Sequence, residues 1–183
     1  MVRDDATSWP LGSGRPSLQR HMDFVIEQAL PGAPDAIEGA LLDAAFVEAR
    51  ASLPSLGDPE LLESTIDGTT ARQRTRFRFT GDLSAAVTAV IDADKLTWID
   101  DATYDLVAHT AQHRVIPDHY ADRLRCTYRA TITADGADAR RSLDGSVKVR
   151  MMLVGGKVEG AIVSGLREYA AAEAVLLADW LRR

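Results

Sequence analysis

His109 and His113 stand four residues apart, the spacing at which two imidazoles on one helix face share a metal ion. On a β-strand the same pair would sit about 13 Å apart, too far for one ion. The flanking Val107, Ala111 and Val115 leave both readings open. No metal site is expected, and one histidine serving as a polar contact in a cavity is the favoured reading. Gly155-Gly156-Lys157 invites a phosphate-loop reading. That pattern needs a glycine where Met151 stands and Ser or Thr where Val158 stands, so it fails. The two glycines then serve a sharp strand-to-helix turn. Glu173 falls on an apolar stripe, where a carboxylate could anchor a hydroxyl or act as a base with a raised pKa. An unpaired buried carboxylate is costly, so Glu173 is expected at the stripe's edge, reaching solvent. The single cysteine, Cys126, excludes a disulfide framework within the chain and a site of several thiolates. It reads as a small buried hydrophobe.

These residues are carried by elements with clear patterning. Residues 1–18, with Trp9-Pro10, Gly12-Ser13-Gly14 and Pro16, show no apolar period and read as a flexible leader ahead of one domain over 19–183. A first strand over 21–30 ends at Pro31-Gly32. Ala33-Pro34-Asp35 opens a short helix, and a second runs from Ala44 to Leu53, with Phe46, Val47 and Arg50, until Pro54. Asp67-Gly68 marks a hairpin. In the return strand Arg72, Arg74, Arg76 and Arg78 alternate with Gln73, Thr75, Phe77 and Phe79. A short helix is expected over 83–91, then strands over 95–104 and 106–116. In 123–133 Leu124, Cys126, Tyr128, Ala130 and Ile132 share one face. In 141–151 Leu143, Gly145, Val147, Val149 and Met151 do the same. Such one-sided strands belong to an antiparallel sheet with one covered face. The cover is a helix over 157–182, about 40 Å long, with Val158, Ile162, Leu166, Tyr169, Glu173, Leu177 and Trp180 on one stripe.

The bulk numbers exclude several classes. The chain has 183 residues, 46% hydrophobic and 26% charged, with a net charge of −6. One globular domain fits, and generic nucleic-acid binding does not. No apolar run is long enough to span a membrane. The acidic pair Asp4 and Asp5, without an apolar stretch, argues against a secretory signal, and a cytoplasmic location is expected.

The order strand, two short helices, antiparallel strands and one long terminal helix resembles the START-like superfamily of polyketide cyclases, aromatases and lipid-transfer domains. Gly145-Ser146-Val147-Lys148-Val149-Arg150, Leu153-Val154-Gly155-Gly156-Lys157-Val158-Glu159 and Ala172-Glu173 to Trp180-Leu181 look like a bacterial START-like branch known only as a domain of unknown function. The resemblance implies an α+β helix-grip fold, with about six or seven strands curved around the C-terminal helix and a cavity between them. It brings no catalytic residues.

Within that fold Phe77, Phe79, Tyr104, Tyr128 and Tyr169 point inward, with Trp98 if its register agrees. Val147, Val149, Ile162, Leu166 and Glu173 complete the expected ligand contacts. The leading expectation is non-catalytic binding or transport of an apolar small molecule, such as a lipid, isoprenoid or polyketide, with no cofactor and few polar groups inside. An enzyme of cyclase or aromatase type is the first alternative, with Tyr104, Tyr128, His109 or Glu173 moving protons. It requires at least two polar groups to converge in the pocket. The second is a protein-interaction module with a collapsed cavity. The outward arginines, with Lys148 and Arg150, read as a solvated face paired with nearby acids, and docking to an anionic membrane or acidic protein is the sharper alternative.

Overall fold

The computed structural model describes residues 21–81, 85–89 and 91–183. The leader expected over 1–18, and part of the helix expected over 83–91, lie outside them. The strands are β1 (Met22–Pro31), β2 (Leu56–Asp67), β3 (Thr70–Phe79), β4 (Thr97–Asp105), β5 (Thr110–Pro117), β6 (Leu124–Asp135) and β7 (Asp138–Val149). The helices are α1 (Pro34–Leu42), α2 (Ala44–Ala49), α3 (Ala85–Thr88) and α4 (Gly155–Leu181). The strands form one antiparallel sheet in the order β1-β7-β6-β5-β4-β3-β2. This is the helix-grip architecture that the resemblance to the START-like superfamily implied.

Period-two alternation decides which side chains meet α4. β1 turns Phe24, Ile26, Gln28 and Leu30 inward and leaves Asp23, Val25 and Glu27 exposed. β3 buries Ala71, Gln73, Thr75 and Phe77. α4 packs mainly across β1 and β7 and buries Val158, Val163, Tyr169, Ala170 and Leu177. One core cluster, including Phe24, Leu143, Val147 and Val163, fills the middle of this interface. A second joins Leu30, Ile37, Phe46, Ile132 and Leu177 beneath α1 and α2.

Two glycines are required by close approach. Gly145 lies opposite Tyr128 on β6, and a Cβ there would press on the Tyr128 side chain and sit 2.5 Å from the Thr127 carbonyl oxygen. Gly155 opens α4, where a Cβ would lie 2.7 Å from the Val149 carbonyl oxygen. The adjacent Glu159 is buried and accepts a hydrogen bond from the Val149 N–H at 2.8 Å, tying the sheet's last strand to the first turn of the helix.

Candidate functional site

The interior between sheet and α4 is polar where few polar groups were expected. Its network begins at Arg50. Asp43 caps α2 by accepting from the Ala45 N–H at 2.9 Å, and Phe46 and Val47 are fully buried. Arg50 follows Phe46 by one helical turn and lays its guanidinium over that ring, 5.1 Å from the centroid. This placement turns the arginine inward, where only 7% of it stays exposed.

Arg141 enters from β7. It shares the inward parity of Leu143 and Val147, and its Nη1 donates to Glu173 Oε2 at 2.8 Å and to Gln28 Oε1 at 3.3 Å. Glu173, on α4, accepts from the Tyr169 hydroxyl at 3.5 Å. Its Oε1 also lies 3.3 Å from Arg50 Nε, an ion pair without hydrogen-bond geometry. Gln28 in turn donates to the Ala170 carbonyl. The expectation that Glu173 reaches solvent is therefore corrected. A carboxylate is tolerated at this depth because two guanidiniums compensate its desolvation. Burial pushes its pKa up, but Arg141 and Arg50 together outweigh burial and hold it below the ordinary value.

A second polar group stands on the sheet. Asp100 (β4), His113 (β5) and Tyr128 (β6) occupy adjacent strands. His113 Nδ1 lies 3.0 Å from Asp100 Oδ2, and the Tyr128 hydroxyl donates to the same oxygen at 3.1 Å. Burial raises the Asp100 pKa, yet His113, the Tyr128 hydroxyl and the Arg50 charge together hold it below the usual carboxylate range. Asp100 is thus ionised near neutral pH, and an ionised carboxylate only accepts. The proton between Asp100 and His113 accordingly sits on Nδ1, and in the neutral ring Nε2 carries the lone pair. Burial drives the hydroxyl pKa of Tyr104 up to about 12, and that of Tyr128 well above its usual 10.

Both groups line one cavity of about 70 Å³. Three buried nitrogens on its wall, Arg50 Nε, Arg141 Nε and His113 Nε2, have no hydrogen-bond partner among the described residues. The apolar wall includes Phe77, whose ring centroid lies 6.3 Å from those of Trp98 and Tyr169.

Of the residues singled out in the sequence, the cavity brings together Phe77, Trp98, Tyr104, Tyr128, Leu166, Tyr169 and Glu173. Val147 and Ile162 pack in the core instead, and Val149 joins Val158 in a separate cluster near the start of α4. Phe79 sits at the end of β3 against Gly81, off the cavity wall. His109 and His113 do not share a site. His109 occupies the β4–β5 turn with a φ of 52°, and its Nδ1 lies 2.9 Å from Glu38 Oε2. Asp35, Glu38 and His109 have ligand atoms within 4.8 Å of one another. Burial raises the Glu38 pKa against the opposing pull of His109. Sequence reading missed Arg50, Arg141 and Asp100 as site residues and left open which histidine is the polar contact in the cavity, although strand parity already placed Arg141 with Leu143 and Asp100 with Trp98.

The outer arginines face acids. Arg72 pairs with Asp101 at 3.2 Å, and Arg76 with Glu60 at 3.2 Å and Asp118 at 3.3 Å. No helix among the described residues is long and apolar enough to cross a membrane.

Solved structures share this fold at low identity. A protein from Thermus thermophilus aligns with a TM-score of 0.63 and 13% identity, over 88% of this chain and 97% of that one. The Zhui aromatase/cyclase from Streptomyces sp. R1128 aligns at 0.59 and 15%, over 90% and 94%. Norcoclaurine synthase from Thalictrum flavum aligns at 0.61 and 12%, over 98% and 99%. No curated protein matches the chain. A START-like fold and a family-model match over residues 26–181 place the chain in the family described as protein of unknown function, DUF2505.

Proposed function

We propose that the protein binds a small molecule with an apolar body and one polar end between the sheet and α4. The observation that carries this reading is the set of three buried nitrogens without hydrogen bonds on one cavity wall. A purely structural core satisfies its buried polar groups, because each one left unmade costs about 1–3 kcal/mol. Arg141 and His113 are instead held by Glu173 and Asp100 in poses that leave one nitrogen apiece without a hydrogen bond, and Arg50 Nε meets Glu173 only as an ion pair. Phe77, Trp98, Leu166 and Tyr169 supply the surface for the ligand's apolar part. The apolar ligand expected from the sequence is thereby narrowed to one with an acceptor for the arginine N–H groups, such as a carbonyl, carboxylate or phenolic oxygen. The START-like relatives include an aromatase/cyclase and norcoclaurine synthase by name, and they lend the fold a precedent for small-molecule sites.

The small volume favours one rival, an interaction module with a collapsed cavity. Typical ligand sites enclose roughly 300–1,000 Å³, so a ligand beyond a few non-hydrogen atoms must part α4 from the sheet. Native mass spectrometry of the protein purified from a bacterial host, followed by organic extraction, separates the two. A stoichiometric adduct bearing an acceptor oxygen supports the binding reading. An empty protein that also fails to brighten a naphthalene-sulfonate probe moves the assignment to the interaction module.

A further inference from the structure

Asp100 and His113 form a dyad on the wall of the cavity. The imidazole is oriented three ways. Its Nδ1 is held by Asp100 at 3.0 Å, its face is stacked on Tyr128 at 4.2 Å between centroids, and Tyr104 meets it edge-on at 6.0 Å. Such restraint fixes the tautomer and aims the Nε2 lone pair, and Nε2 itself is buried with no partner among the described residues. A histidine kept only for packing has no need of a carboxylate behind it. The groups facing it from other elements are the Arg141–Glu173 pair, Arg50, Tyr104, Tyr128 and Tyr169. The guanidinium Nε–H groups of Arg50 and Arg141 are donors on the same cavity wall, suited to an oxygen that gains negative charge.

We propose that this is a proton-transfer site, with His113 as the general base acting on a ligand that carries an enolisable carbonyl. Nε2 takes a proton from the carbon beside the carbonyl. The C–H electron pair becomes the new C=C bond, and the carbonyl π pair moves to the oxygen, which Arg50 or Arg141 stabilises. The imidazolium, balanced by Asp100, then returns the proton to the same carbon or another. The sum is exchange or isomerisation and needs no co-reactant. Asp100 is a positioning residue that sets the tautomer, and Tyr128 holds Asp100. The proposal rests on the binding reading above and adds turnover to it.

Cyclopentanone is a probe of the cavity's own order of size. Binding is read by saturation transfer from the protein to the ketone, and turnover by loss of its α-proton NMR signal in D2O. The wild type is expected to accelerate exchange by about 10²-fold over buffer. The acceleration should be lost in His113→Gln, compared at ketone concentrations that give each protein the same saturation transfer. Asp100→Asn is expected to lower the rate without abolishing binding. Saturation transfer without acceleration, or a His113→Gln variant as fast as wild type, overturns the proton-transfer inference alone. No saturation transfer at all overturns it together with the binding reading. Long-range imidazole ¹⁵N spectra give a readout independent of the probe. They should show His113 protonated at Nδ1 with Nε2 as the acceptor nitrogen, and an Nε2–H tautomer overturns the assignment of the base.

Discussion

Tyr128 lies flat against His113, with ring planes 10° apart, while its hydroxyl reaches the Asp100 oxygen that the imidazole also engages. The two residues are direct cross-strand partners on β5 and β6. One strand pairing thus supplies both the stack and the shared carboxylate.

Tyr128→Phe separates these roles. The ring and its stack remain, and one hydrogen bond to a charged acceptor is lost. A destabilisation of about 1.5–3 kcal/mol is expected, measured by urea unfolding. A Phe variant as stable as the wild type would mean that the hydroxyl–Asp100 bond contributes nothing net.

Glu173→Ala leaves Arg50 and Arg141 buried without their shared counter-charge and should cost about 3–5 kcal/mol. Glu173→Leu tests the same point with volume restored, and an equal loss would assign the effect to charge rather than to a cavity.

The pH dependence follows from the sign of the shifts. Glu173 and Asp100 both titrate in the fold below their ordinary values of 4.5 and 3.8. A carboxylate depressed in the native state contributes stability that is complete above its unfolded pKa and is lost as pH falls through the folded one. Tm should therefore hold at neutral pH and fall below about pH 4.5. Glu173→Gln should start lower and show a shallower acid limb in scans over that range.

Gly145→Ala places a methyl group against the Thr127 carbonyl and the Tyr128 Cβ, backbone and near-backbone atoms of the paired strand rather than the far end of a flexible side chain. Loss of about 1–3 kcal/mol is expected, with the His113–Tyr128 stack displaced in the imidazole NMR shifts. The stack makes this more than a stability test, since a variant with unchanged shifts would show that Gly145 does not set the Tyr128 position.

Cys126 is buried on β6, and burial pushes its thiol up to about 12. It should resist aromatic disulfide reagents in the native state and react at once after denaturation. Rapid native labelling would place the thiol at the surface.

The order of elements was legible because hydrophobic period alone distinguishes the strands from α4. Inward residues such as Phe77 and Tyr128 followed from that parity. The charged interior was not legible, for a physical reason. Arg141 and Glu173 are 32 residues apart on different elements, and each alone reads as a surface residue. Burial becomes affordable only through a pairing that the alternation of a single strand cannot show. His113 was likewise weighed against His109, its neighbour in sequence. Its true partner, Asp100, lies diagonally across the β4–β5 register, in which His113 faces Ala102. Strands expected over 95–104 and 106–116 did not fix that register, because the turn occupies 106–109.

Glu173 rides on α4, whereas the two guanidiniums it neutralises are anchored elsewhere, Arg141 in the sheet and Arg50 after α2. Lifting the helix therefore does more than uncover apolar surface. It would pull opposite charges apart inside a poorly polarisable medium, so α4 is held to the sheet by charge pairing as well as by apolar burial.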